Sequence, residues 1–432
     1  MTIALFEMGT PEEPGAALSR VRGALDAEGA LRWHVDLGNV GLLARAVRES
    51  PRPIDVVLRA RDEAHDRTVV DDEGELVPTL RRLHEAGSVS LSLSTGRRYH
   101  LPPPALDIST NDLCGLQCSM CGNRATKRDP LTISAAEVRA LIAEAASWGV
   151  RRVALTGAGE PFRDPDMLDH VRYANGLGHL VTITSNGFPI SEAVAGELAE
   201  RVLSVSISIH GADDATHDAI VGVPTAADHA WRAVARMVSA KRARGDLSKL
   251  SVNVSTVIQR QNLAEIPALV RRARDAGCDG VNIQPVNLQH GFLSAARVVR
   301  RDDVGAIAAM WPERAQAAEL DRVFDELAAL KEEHGRFVHT SRERLALFRR
   351  YFDDSSREAL GVACRVGEAF LAVDHRGSIK PCYRLPWSHG DARLTSVRAL
   401  WNSQAYAETR ALVDACPLTC MNNCFFRAGR AS

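Results

Sequence analysis

Between residues 105 and 285 short apolar runs alternate with longer stretches of helical period. Ala105–Thr110, Arg152–Thr156, Leu180–Thr184, Val202–Ile209, Leu250–Ile258 and Gly280–Pro285 have the length and the Val, Ile, Leu and Thr content of strands. Between them, Ser134–Trp148, Pro165–Leu177, Ser191–Arg201, Ala226–Ala243 and Leu263–Ala276 space their apolar residues for one helix face. Six such β–α units predict parallel strands wound by helical crossovers, with functional groups gathered at the C-terminal strand ends. Residues 1–102 repeat the alternation on a smaller scale and predict an N-terminal α/β domain. Its strands are Thr2–Phe6, Leu31–Leu37, Ile54–Arg59 and Val89–Ser94, and its helices Ala16–Gly29, Val40–Glu49 and Leu76–Ala86. Pro102, Pro103 and Pro104 form a stiff linker into the core at 103–300. Residues 301–360 read as a charged helical bridge, with amphipathic periods at Ala315–His334 and Arg342–Phe352. In the last segment, 361–432, Ala369–Asp374 and Ser378–Pro381 read as a hairpin turning at His375–Gly377.

Composition narrows the function classes. The 432 residues are 45% hydrophobic and 25% charged, with a formal net charge of −1. There is no basic excess to hold phosphate backbones, so nucleic acid is not an expected partner. No apolar run approaches the ~20 residues of a membrane span, and the N-terminus shows no signal peptide, so the expected location is cytoplasmic. Nine cysteines fall as a group of three, one alone at Cys278 and a C-terminal five, a clustering that reads as metal binding rather than disulfides. Cys278 itself reads as a turn residue before the sixth strand.

The first group is Cys114-Gly-Leu-Gln-Cys118-Ser-Met-Cys121, directly after the first core strand. Its C-x3-C-x2-C spacing lets three thiolates converge from one loop, as an iron–sulfur cluster requires, and leaves one iron of a four-iron cube open. A structural zinc site would want four closed ligands, and the loop contains no fourth Cys or His. After the second strand, Gly157-Ala158-Gly159-Glu160-Pro161 offers small residues for close backbone approach and an acceptor for an ammonium group. Ser185-Asn186-Gly187 follows the third strand, and Ser204, Ser206 and Ser208 share one face of the fourth. Further along, His210, Gln284 and Asn287 lie at strand ends, where they could meet a polar substrate or, for His210, move a proton.

At these residues the chain resembles the radical S-adenosylmethionine (radical SAM) enzymes, whose signature is the C-x3-C-x2-C motif followed one strand later by the glycine-rich motif. The resemblance implies a partial (β/α)6 barrel in which Cys114, Cys118 and Cys121 hold a [4Fe–4S] cluster. SAM would chelate the open iron, with Gly157, Gly159 and Glu160 at its amino group and Ser185, Asn186, Ser206 and Ser208 at its ribose and carboxylate. One electron from a flavodoxin- or ferredoxin-type reductant would then release a 5′-deoxyadenosyl radical to abstract a hydrogen atom. The tail, with Cys364, a Cys-x12-Gly-x4-Cys hairpin to Cys382, and Cys416, Cys420 and Cys424, resembles the auxiliary-cluster domains SPASM and its shortened form, twitch. Five cysteines suit one auxiliary [4Fe–4S] cluster, leaving open which two of Cys416, Cys420 and Cys424 are ligands; a structural zinc site is the alternative. The N-terminal domain lacks the Asp-x-His-x-x-Gly motif expected of cobalamin binding and does not follow the strands-then-helices order expected of a leader-peptide domain, so a structural or substrate-covering role is expected. The resulting expectation is oxidation, dehydration or epimerisation of a small polar, aminosugar- or sugar-like natural-product intermediate. A peptide maturase acting on a ribosomally made precursor is the alternative, and a non-catalytic iron–sulfur or zinc protein the third reading.

Overall fold

The computed structural model of the chain describes residues 102–121, 128–287, 309–364, 366–382, 388–416 and 420–421, together with five further strands by their backbone alone. Two compact units result. One comprises Met1–Pro103 with Glu144–Val150 and Thr395–Ala407; the other holds the rest.

The first unit carries a four-stranded parallel sheet of β1 (Thr2–Phe6), β2 (Arg32–Val35), β3 (Ile54–Leu58) and β4 (Val89–Leu93), in the order β2-β1-β3-β4. These are the four strands expected from the sequence; the three expected helices lie outside the described residues. In the same unit Trp148 and Trp401 meet edge to face, 5.9 Å between ring centroids.

In the second unit, six parallel strands run β5 (Ala105–Ser109), β6 (Arg152–Thr156), β7 (Leu180–Ser185), β8 (Ser204–Ser208), β9 (Ser251–Ile258) and β10 (Gly280–Pro285), neighbours in space as in sequence. The crossovers contain α1 (Ala135–Ser147, of which residues 135–143 belong to this unit), α2 (Met167–Gly176), α3 (Glu192–Arg201), α4 (Asp214–Val221), α5 (Ala226–Arg244) and α6 (Ile266–Asp275). Each strand alternates. Leu106, Ile108, Val153, Leu155, Val181, Ile183, Val205, Ile207, Val252, Val254, Val281 and Ile283 are buried, forming the apolar side that parallel sheets turn to their helices. The opposite positions are small and polar. Across the register Thr184 pairs with Ser206 and Ser206 with Asn253, while Ser208 pairs with Ser255 and Ser255 with Asn282. This polar face, with Thr184 exposed and Ser206, Ser208 and Gln284 half-buried, is where a ligand can lie.

Beyond β10, α7 (Ala317–His334) and α8 (Arg342–Asp353) form the helical bridge. The tail then does something its hairpin signature did not announce. β12 (Leu371–Val373) pairs in parallel with β5, and β13 (Ile379–Lys380) folds back antiparallel on β12, so the hairpin extends the six-stranded sheet to eight. Separately, β11 (Val362–Cys364) pairs antiparallel with β14 (Phe426–Ala428). Cys278 is buried at the turn into β10, as expected, and burial pushes its thiol up to about 12.

Candidate active site

The cysteine loop leaves the C-terminal end of β5 and is fastened on two sides. The amide of Gln117 donates to Val221 O at 2.9 Å and that of Ser119 to Ile220 O at 2.9 Å, so the loop uses the last carbonyls of α4 that have no partner within the helix. α4 stops there because Gly222 adopts φ +72°, a left-handed cap that glycine takes at little cost. Leu116, Ile220, Val221 and Ala226 form a buried apolar cluster, against which Cys114, Cys118, Met120 and Phe188 pack. All three thiols are half-buried and free of disulfides. Burial holds the Cys114 thiol above its ordinary value, partly offset by the Leu116 amide, with Glu160 and Cys121 raising it further. A bound cation such as cluster iron is what would favour its thiolate.

The second side is the glycine loop after β6. The Glu160 amide donates to Leu113 O at 2.7 Å, and Asn111 Nδ2 donates to Glu160 O at 3.1 Å. Gly159 makes this approach possible: a Cβ there would lie 2.3 Å from Leu113 O and 2.4 Å from Asp112 C. The glycine's smallness therefore serves the contact between the two loops. Gly157 sits against Ser109 and Asn111, where a Cβ would be tight at 3.3 Å from Ser109 Oγ.

Glu160 is 3% exposed. Its Oε2 accepts from the Asn186 amide at 2.7 Å, and its Oε1 from Ser185 Oγ at 2.8 Å and the Phe162 amide at 3.3 Å. Among the described residues it has no ion pair. Burial outweighs these hydrogen bonds and the nearby charge of Arg163, and pushes its carboxyl up to about 7. A buried carboxylate with three donors and no direct ion pair among the described residues fits an ammonium group brought by a ligand.

The expected cofactor residues divide. Ser185 and Asn186 face Glu160, and Asn186 Nδ2 reaches Cys114 Sγ at 3.9 Å, so both stand beside the cysteine loop. Ser206 and Ser208 lie further along the polar face. Thr184 was not singled out, although its alternation in Thr182-Ile183-Thr184 carries the same signal; it is the exposed partner of Ser206 in the register.

His210 is buried at the end of β8, its Nδ1 accepting the Val257 amide at 3.3 Å, which assigns the ring proton to Nε2. Burial, with His217 beside it, pushes it down to about 3. The ring is therefore neutral near pH 7 and offers an N–H donor. Asn262, another residue the sequence did not flag, braces this corner by donating to His210 O at 2.6 Å and Val257 O at 2.9 Å. Gln284 stays on the polar face. Asn287 is buried, and its Oδ1 accepts the amide of Met421 at 2.8 Å, so this strand-end residue reaches the tail.

In the tail, Val366, Cys382 and Val413 form a buried cluster with Cys364, Phe370 and Cys420 packed on it. Three of the expected metal cysteines thus share one small apolar site, without disulfides. Cys416 follows at the end of helix Gln404–Asp414, its amide donating to Val413 O at 3.1 Å. Cys424 lies outside the described residues.

Comparison with known proteins agrees with this geometry. Residues 108–273 match the radical SAM superfamily, and residues 364–425 match SPASM, an iron–sulfur cluster-binding domain. The AdoMet-dependent heme synthase of Methanosarcina barkeri is 25% identical over 300 residues, 69% of this chain and 82% of the relative. The PqqA peptide cyclase of Bradyrhizobium diazoefficiens is 26% identical over 235 residues, 54% of this chain and 56% of the relative. Streptococcus suis SuiB bound to its precursor peptide SuiA shares the fold, with a TM-score of 0.56 at 16% identity over 88% of this chain and 82% of that one. The two matched domains imply SAM, a [4Fe–4S] cluster and auxiliary iron–sulfur clusters. With its cysteine loop, glycine loop and parallel α/β sheet in the matching order, the chain carries a radical SAM domain over residues 108–273 and a SPASM domain at its C-terminus.

Proposed function

We propose that the protein is a radical SAM enzyme that abstracts a hydrogen atom from a small polar, aminosugar- or sugar-like natural-product intermediate, giving oxidation, dehydration or epimerisation. The observation that carries the chemistry is Glu160, a buried carboxylate with no direct ion pair among the described residues, held against the cysteine loop. When bound, the cluster and SAM supply one-electron SAM cleavage and hydrogen-atom abstraction. Cys114, Cys118 and Cys121 hold the cluster. Glu160, aimed by Ser185 and the Asn186 amide, receives the amino group of SAM; Gly157 and Gly159 keep the glycine loop against the cysteine loop. Ser206 and Ser208 offer hydroxyls to the rest of SAM. The apolar residues Leu116, Ile220, Val221 and Phe188 exclude water from the cysteine side. His210 and Gln284 offer neutral hydrogen-bonding groups to a polar substrate. An auxiliary cluster sits at Cys364, Cys382 and Cys420 with a fourth ligand from Cys416 or Cys424, and a flavodoxin- or ferredoxin-type protein supplies the electron.

A precursor peptide is a second reading of the substrate. It is favoured by the PqqA peptide cyclase among the relatives and by the peptide-bound SuiB among the shared folds. Screening SAM-dependent 5′-deoxyadenosine formation against aminosugars and candidate precursor peptides separates the two. The underlying assignment is tested by anaerobic reconstitution of Cys114, Cys118, Cys121→Ala. The expected result is loss of SAM cleavage with about four irons retained in the tail. Iron near zero would assign the tail to zinc or to no metal, and retained SAM cleavage would overturn the assignment of the loop.

A further inference from the structure

We infer that His375 and Arg376, in the turn of the SPASM hairpin, are positioning residues for the loop of Cys114, Cys118 and Cys121. The segment between Asp112 and Asp129 contains all three cysteines. Its two ends are drawn together, the Asp129 amide donating to Asp112 Oδ1 at 3.3 Å. The hairpin turn closes over this base. Arg376 places Nε at 2.6 Å and Nη2 at 2.5 Å from Asp129 Oδ2. His375 Nε2 stands 3.5 Å from Asp129 Oδ2 and 3.8 Å from Asp112 Oδ2, and the Ile133 amide donates to His375 O at 2.8 Å. Asp112 and His375 are 8% and 5% exposed, while the Arg376 side chain reaches Asp129 from the solvent side.

The same three groups, Asp112, Asp129 and His375, have the reach to hold a cation. Arg376 decides against that reading. Its guanidinium occupies the Asp129 oxygen a cation would need and supplies the countercharge itself. The turn is also fixed from behind. Asp374 Oδ1 accepts the amides of Arg376 and Ser378, and β12 pairs with β5, the strand that runs into the cysteine loop. The SPASM segment thereby braces a loop it supplies no cysteine to, and cluster retention in the barrel depends on two residues that do not touch the cluster.

The inference rests on Cys114, Cys118 and Cys121 being the ligands of the SAM-binding cluster. The test uses full-length, anaerobically reconstituted protein. The signal of the reduced cluster that changes when SAM is added marks the barrel cluster in electron paramagnetic resonance, and its loss is followed in excess ferrous chelator. Arg376→Ala and Asp129→Asn should each lose it about two- to fivefold faster than wild type, the effect of an ion pair with one exposed partner, while the SAM-insensitive iron leaves at the wild-type rate. The control is Arg393→Ala, which removes a side chain that bonds Asp391 and Arg376 O but does not reach Asp129. An unchanged rate in Arg376→Ala, equal acceleration in Arg393→Ala, or acceleration abolished by saturating a divalent ion would each overturn the inference. A SAM-responsive signal that persists in Cys114, Cys118, Cys121→Ala would instead overturn the cluster assignment.

Discussion

Glu160 gives the site a pH dependence with a definite sign. Its folded carboxyl titrates near 7, above its ordinary value of 4.5. Between these values the folded chain keeps a proton that the unfolded chain has released, so stability of the ligand-free protein falls as pH rises through that window. Binding an ammonium needs the carboxylate, so below about 7 each binding event must release a proton. Apparent SAM affinity should weaken by up to about tenfold per pH unit below 7 and be flat above it. Glu160→Gln should bind SAM weakly at every pH and remove both slopes; equilibrium dialysis and denaturant melts at pH 5.5 and 8 measure this. Gly159 is the steric counterpart. With its Cβ position 2.3 Å from Leu113 O, Gly159→Ala must push the glycine loop off the cysteine loop. It should lose SAM binding while the far side of the sheet stays folded by circular dichroism. That Glu160 stands in a small-residue loop after the second strand is legible from the sequence, and so is the smallness of Gly159, but not that Gly159 faces protein backbone.

At the scale of elements, strands were readable because a buried parallel strand must be apolar on its helix side, a pattern written in Val153, Leu155, Val181 and Ile183. Arg152–Thr156 and Gly280–Pro285 keep their expected ends, and the other strands shift by a residue or two, since the last residues of a strand are decided by hydrogen bonds to neighbours. The contacts that hold the site were not readable. Gln117 and Ser119 bond to backbone carbonyls of α4, which any residue offers. Asn287 accepts the amide of Met421, far along the chain, a partner that no local pattern announces. The connection between α4 and α5 carries a strain that can be released. Thr225 has φ +65°, unfavourable for a β-branched residue, and its hydroxyl makes no cap bond. Thr225→Gly should stabilise the protein by about 1 kcal/mol, read as a higher denaturation midpoint; no change would mean that the side chain's packing offsets the strain.

For the molecule as a whole, the eight-stranded sheet has consequences beyond cluster chemistry. An open parallel sheet exposes unpaired backbone groups at both margins, and such margins recruit other strands. Here the β5 margin is taken by β12. β13, only two residues long, is itself met by Gly390 and His389, with the Ile379 amide donating to Gly390 O and the His389 amide to Ile379 O, both at 2.9 Å. At the β10 margin Val281 bridges to Val338, and Thr340 Oγ1 donates to Ile283 O at 3.0 Å. A chain cut at residue 360 would uncover β5 and should self-associate on a light-scattering column where the full chain does not, even with the tail cysteines replaced in the full-length control. The same covered margins restrict how a peptide could be recognised. Strand addition, in which a guest borrows backbone pairing from a host sheet, has no vacant place beside β5 or β10 among the described residues. A guest peptide reaching this sheet would have to present its side chains to the polar face of β7, β8 and β9, and would be selected by what those side chains are rather than by its backbone.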